Sequence, residues 1–117
     1  MHPYISCLFT LAVKPEKFAE FKALIAQIVP ATQSEPDTLV YEYSVNEDNS
    51  TVHILERYKA DAIVSHVDNT FAPFGKRFLE LCTITSLTVY GTPDAEIRKR
   101  LDPFGAVYMT PFDGFSR

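Results

Sequence analysis

Tryptophan is absent from the 117 residues, cysteine occurs twice and glycine four times. Two cysteines cannot build a disulfide framework, so a reducing, cytoplasmic setting is expected. Cys7 and Cys82 both sit in apolar, strand-like runs. They read as buried free thiols, with one cross-strand disulfide as the alternative. Gly75, Gly91, Gly105 and Gly114 form neither a G-x-G-x-x-G nor a Walker A loop, and no C-x-x-C occurs. His2, His53 and His66 stand at no helix-face ligand spacing. No nicotinamide, flavin or structural-zinc site is therefore expected, and no nucleophile elbow marks a serine hydrolase. No apolar run approaches the roughly 18 residues of a membrane span. The first ten residues have no basic signal-peptide region. Basic side chains number 11 against 15 acidic, a formal charge of −4, which argues against a nucleic-acid partner.

What is present is ordinary globular material. Hydrophobic residues make up 46% of a 13.2 kDa chain, which suits one domain. By surface scaling the folded chain should expose roughly 6,400 Å². Ile5, Cys7, Phe9, Leu11 and Val13 alternate, predicting a first strand over residues 4–13. Pro15 suits a helix start, and Phe18, Phe21, Ile25 and Ile28 carry that helix to Val29, with Pro30 as its stop. Residues 31–38 read as a polar connection. Leu39, Tyr41, Tyr43 and Val45 form a second strand, and Val52, Ile54, Glu56 and Tyr58 share one face of a third. Two helices are expected next, over residues 60–67 and 71–81, then a fourth strand over 83–90. Thr92 and Pro93 read as the cap and first residue of a last helix. Beyond it lies a tail holding Phe104, Tyr108, Phe112 and Phe115. The order β-α-β-β-α-β is that of an α+β, ferredoxin-like antiparallel sheet with helices on one face. A second copy of the chain is the expected cover for the other face.

Four segments, in order, resemble the antibiotic biosynthesis monooxygenase (ABM) domain family. Residues 35–42, beginning Glu35-Pro36-Asp37, resemble its E-P-G-C-x-x-Y-E segment, and Ile54-Leu55-Glu56-Arg57-Tyr58 resembles its third-strand aliphatic-x-E-x-W. His66 matches the helix histidine that follows, and Phe71, Phe74 and Phe78 fit the next helix. Asp37 stands where glycine is usual and Tyr58 where tryptophan is usual; Asp reaches positive φ at higher cost. The resemblance implies a dimeric α+β barrel, built from residues 1–91 as the ABM-like domain. Residues 92–117 are a C-terminal helix and tail expected to pack on the partner subunit as an irregular strap. It also implies a monooxygenase that uses no cofactor and takes O2 as co-substrate. The superfamily also includes haem-degrading and isomerising members. The haem branch uses a first-strand Asn, a helix Trp and a His about ten residues later, and this chain has none of them.

Cofactor-free oxygenation needs an electron-rich anion, hence a base, an apolar cavity and donors for the oxyanion. His66 has the ordinary pKa of a base near neutrality. Glu56, the second catalytic candidate, can orient it or act alone, unless a helix cation such as Lys76 or Arg77 pairs with it structurally. Tyr41, Tyr43, Tyr58, Phe71 and Phe74 are the substrate-binding candidates for a small aromatic quinol or enol. The same cavity would serve a proton-transfer isomerase or decarboxylase, or a non-enzymatic dimeric binder.

Overall fold

Period-two patterning forms the strands where the sequence places them. The computed structural model describes residues 4–59 and 61–117. Strands β1 (Tyr4–Ala12), β2 (Thr38–Val45), β3 (Thr51–Lys59) and β4 (Thr83–Tyr90) pair antiparallel in the order β2-β3-β1-β4. A short β5 (Val107–Met109) joins β4 in parallel, making a five-stranded mixed sheet. The fold is α+β and ferredoxin-like. Ile5, Cys7 and Leu11 of β1, Val52, Ile54, Glu56 and Tyr58 of β3, and Leu87 and Val89 of β4 are buried on the inner face. Helix α1 (Phe18–Gln33) covers one part of it through Phe21, Leu24, Ile28 and Thr32. Cys7 and Cys82 are both buried and free, in separate halves of the core.

Four expectations are corrected. Pro30 lies inside α1, which runs on through residues 31–33. A proline there forfeits one backbone bond but keeps a helical φ, and the extra turn buries Thr32 beneath the sheet. The two helices expected over 60–67 and 71–81 form one run: α2 (Ala62–Ser65), a π-helical segment (His66–Phe71) and α3 (Ala72–Leu81); Ala60 lies outside the described residues. The last helix, α4 (Ala95–Leu101), is capped by Asp94, whose Oδ1 accepts from Ile97 N at 3.0 Å, not by Thr92. The tail is not a strap from its start. After a 3₁₀ turn (Asp102–Phe104), residues 107–109 complete the chain's own sheet, and Phe104 packs edge-on against Phe9.

The outer sheet face is uncovered. Leu55, Tyr90, Val107 and Met109 are 41–57% exposed, and the register aligns them across β3, β1, β4 and β5 with Leu8 between. Total surface is 7270 Å², several hundred Å² above the roughly 6,400 Å² expected for this mass.

The chain leaves β4 through Gly91 at φ +135°, where an added Cβ would sit 2.8 Å from the Tyr4 carbonyl oxygen and 2.9 Å from Ile5 Cδ1. Gly105 (φ +73°) has open space around it. Both sites carry left-handed strain, but only Gly91 adds a clash with backbone. Gly91→Ala should cost more than the roughly 1–3 kcal/mol of backbone strain alone. Gly105→Ala should stay within that range, as read by urea unfolding of the two variants.

Candidate active site

A cavity of about 170 Å³ lies between the inner sheet face and the helical run 62–81. An apolar cavity of about 150 Å³ holds a benzene ring. The sheet contributes Phe9, Tyr41, Tyr43, Ile54 and Glu56; the helical run contributes Ile63, His66, Phe71, Gly75 and Phe78. Leu101 and Phe104 complete the wall. Nearly all of this lining is hydrocarbon, so its few polar atoms are the chemistry.

The helix presents these residues because of the π-helical segment. From Ile63 an unbroken α-helix would carry one face through 67, 70, 74 and 78. One extra residue in the turn after His66 moves the phase, so Phe71, Gly75 and Phe78 face the cavity with Ile63, His66 and Val67. Phe74 consequently packs at the core edge and does not line the cavity. Gly75, which no sequence signal singled out, takes that place. An added Cβ there would touch only the Phe71 ring, at 3.5 and 3.8 Å.

His66 is buried, and its Nδ1 lies 3.1 and 3.2 Å from the two carboxylate oxygens of Glu35. A carboxylate only accepts, so Nδ1 donates and Nε2 is left as the basic atom. Glu35 is itself held by Thr38 Oγ1, which donates at 2.6 Å. The residue that orients His66 is therefore Glu35, not Glu56. Its signal was the Glu-Pro that opens the 35–42 segment. Burial lowers the His66 pKa below its ordinary 6.5, and Glu35 pulls it back up in part, so the ring is neutral at pH 7.

Glu56 is 5% exposed. Its partner is Tyr58, whose hydroxyl donates to Oε1. Lys76 and Arg77 do not reach it; Arg77 pairs with Glu20 and Glu80 on the surface. Burial raises the Glu56 pKa to about 8, with the Tyr58 bond opposing and Glu35 adding to the rise. At pH 7 it is a protonated acid whose second oxygen carries a proton to donate. Tyr58 is fully buried beneath the site; its hydroxyl binds Glu56 and its ring lies 5.5 Å from that of His66. It supports the cavity without lining it. Tyr41 and Tyr43 do line it, share a hydroxyl bond of 2.9 Å, and are held neutral by burial, their pKa values pushed up. The Tyr41 ring meets His66 edge-on at 5.3 Å. His53 lies exposed on the outer face, and His2 lies outside the described residues. Asp37 keeps a negative φ, since Asn49 alone among the described non-glycine residues has a positive one, so the aspartate imposes no left-handed strain. The hydroxyl that Tyr58 carries in place of an indole is what binds Glu56.

Among the described residues no three His, Cys, Asp or Glu side chains gather as metal ligands, and no helix is long and apolar enough to cross a membrane.

The Glu56 pKa is raised from 4.5 unfolded to about 8 folded. Its stabilising contribution is complete below pH 4.5 and lost as pH rises toward 8, by at most about 1.4 kcal/mol per unit. His66 acts with the opposite sign, but only below 6.5. Unfolding free energy should therefore fall most cleanly between pH 6.5 and 8. Glu56→Gln should flatten that slope in urea melts across this interval.

A family description, antibiotic biosynthesis monooxygenase, matches residues 5–70. No curated protein sequence is significantly similar to the chain. Solved structures share the fold. MupZ from Pseudomonas fluorescens superposes with a TM-score of 0.87 at 23% identity, covering 100% of this chain and 91% of its own. SnoaB, a cofactor-independent oxygenase from Streptomyces nogalater, gives 0.66 at 14% identity over 80% and 97%. A conserved protein from Methanosarcina mazei gives 0.66 at 20% identity over 74% and 90%.

Proposed function

The chain belongs to the antibiotic biosynthesis monooxygenase family, and on that premise we propose that its cavity oxidises a small aromatic quinol or enol-type substrate with O2 and no bound cofactor. The observation that carries this is a neutral base and a protonated acid, His66 and Glu56, facing one apolar cavity of little more than one-ring size.

The steps balance as follows. His66 Nε2 takes a proton from the substrate, and Glu56 and the tyrosines donate hydrogen bonds to the resulting oxyanion. The apolar walls make this anion a strong one-electron donor. It passes one electron to O2, and the substrate radical and superoxide join in a C–O bond. The peroxide takes the proton from His66. Loss of a second substrate proton to His66, with Glu56 protonating the departing hydroxide, leaves a carbonyl and water; His66 then returns a proton to Glu56. The net change is loss of two hydrogens from the substrate and gain of one oxygen atom as C=O, the second oxygen of O2 leaving as H2O. A second reading has support in the same pair: a base and an acid on one ligand can also move a proton from one atom to another without O2, an isomerisation.

Oxygen-electrode measurements with a panel of quinols and polyphenols, on metal-stripped protein, test the first reading. His66→Ala should lower uptake by about 10²–10⁴-fold. Substrate hydrogen exchange in D2O without O2 uptake would select the isomerase instead. The rate should rise as His66 loses its proton below pH 6.5 and fall above about 8 as Glu56 ionises. Glu56→Gln should abolish the alkaline limb.

The working form we propose is a cytoplasmic homodimer, joined through the uncovered sheet face. The several hundred Å² of surplus surface is comparable to the roughly 800 Å² each partner gives a standard interface. Phe112 and Phe115, 98% and 80% exposed, belong to residues 110–117, the part of the tail left to strap onto the partner subunit. Light scattering should return twice the 13.2 kDa chain mass. Truncation after Thr110, which spares β5, should raise the dimer dissociation constant; a monomer at micromolar concentration would refute the dimer.

A further inference from the structure

The matched family region ends at residue 70, yet Leu101 and Phe104 wall the cavity from beyond it. Their segment is fixed from several sides. Arg100 grips Asp68, in the π-helical segment next to His66, by two parallel bonds: Nε to Oδ1 at 2.9 Å and Nη2 to Oδ2 at 2.7 Å. Bidentate pairs of this kind fix geometry as well as charge. Ile97 and Leu101 are buried against the sheet. Downstream, Tyr108 donates to Asp102 Oδ1 at 2.5 Å under the Arg98 guanidinium, 4.0 Å from its ring, and β5 ties the strand to β4. Phe104 lies between these two anchors. Its ring meets Phe9, another cavity residue, at 6.4 Å and is only partly buried. It is thus a rigid wall held by structure on both sides, in a cavity little larger than one ring.

We propose that Phe104, backed by Leu101, is a specificity-determining residue that sets the upper size of the ligand, so that the C-terminal extension defines which aromatic compounds enter. This rests on the cavity being the substrate site. Removing the Phe104 ring enlarges the cavity by one phenyl group and leaves Glu35, Glu56 and His66 in place. A ligand one ring larger then fits.

The test uses phenol and 1-naphthol as probes, titrated calorimetrically under argon into the full-length protein. The readout is the ratio of the naphthol to the phenol dissociation constant. Phe104→Ala should lower this ratio at least tenfold, and Phe104→Trp should raise it. Glu47→Ala, in the exposed turn between β2 and β3, should leave it unchanged. Far-UV circular dichroism checks folding; should the alanine variant not fold, the tryptophan variant and Phe104→Leu decide by the same ratio. If wild type binds the probes and the ratio is indifferent to residue 104, the size-limit proposal is wrong and the cavity reading stands. If wild type binds neither probe, both fall.

Discussion

A carboxyl group stands on the apolar face of a central strand with one tyrosine hydroxyl for company. Burying it ionised would be prohibitive without a cation, and the neighbouring Lys76 and Arg77 do not reach it. Glu56 is therefore held as a neutral acid, and the rest of the site follows from that. Its neutrality keeps the wall apolar and leaves an acidic proton available at pH 7. It also separates its role from that of Glu35, a largely buried side chain that accepts from His66 Nδ1 and from Thr38 Oγ1. Two glutamates about twenty residues apart in sequence thus do opposite work because one has a tyrosine hydroxyl as its partner and the other an imidazole N–H and a threonine hydroxyl.

The second constraint is helical phase. His66 and Phe71 are five residues apart, a spacing that an α-helix places on different faces. The π-helical turn between them brings both to the cavity, and π segments recur at functional sites for this reason. It also places Asp68 outward, where Arg100 binds it. One extra residue in one turn therefore serves the histidine, the aromatic wall and the anchorage of the C-terminal helix together.

Much of this was legible from residue patterns. Alternation located the four main strands, and the strand-face position of Glu56 and the helix position of His66 suggested their convergence. The misses have physical causes. Phe74 was expected in the cavity because it shares a three-and-four spacing with Phe71 and Phe78, but that spacing does not say which edge of the stripe meets the cavity and which meets the neighbouring core. Glu35 sits in a loop, where no periodicity tells which side chain turns inward. Pro30 was read as a stop because local propensity says so, but its fixed φ is a helical one and α1 continues through it to Gln33. The three residues of β5 are too few for a pattern; only pairing with β4 reveals them.

Gly75 has a consequence for any attempt to improve this protein. It sits mid-helix without positive φ, and a methyl group there would make only ordinary contact with Phe71. Replacing such a glycine with alanine commonly adds up to about 1 kcal/mol of stability. The same methyl would project into the cavity. A selection for heat tolerance alone would therefore favour a change that narrows the chamber, and a selection for turnover of bulkier molecules would keep the glycine. At this one backbone position robustness and capacity are set against each other by a single carbon atom.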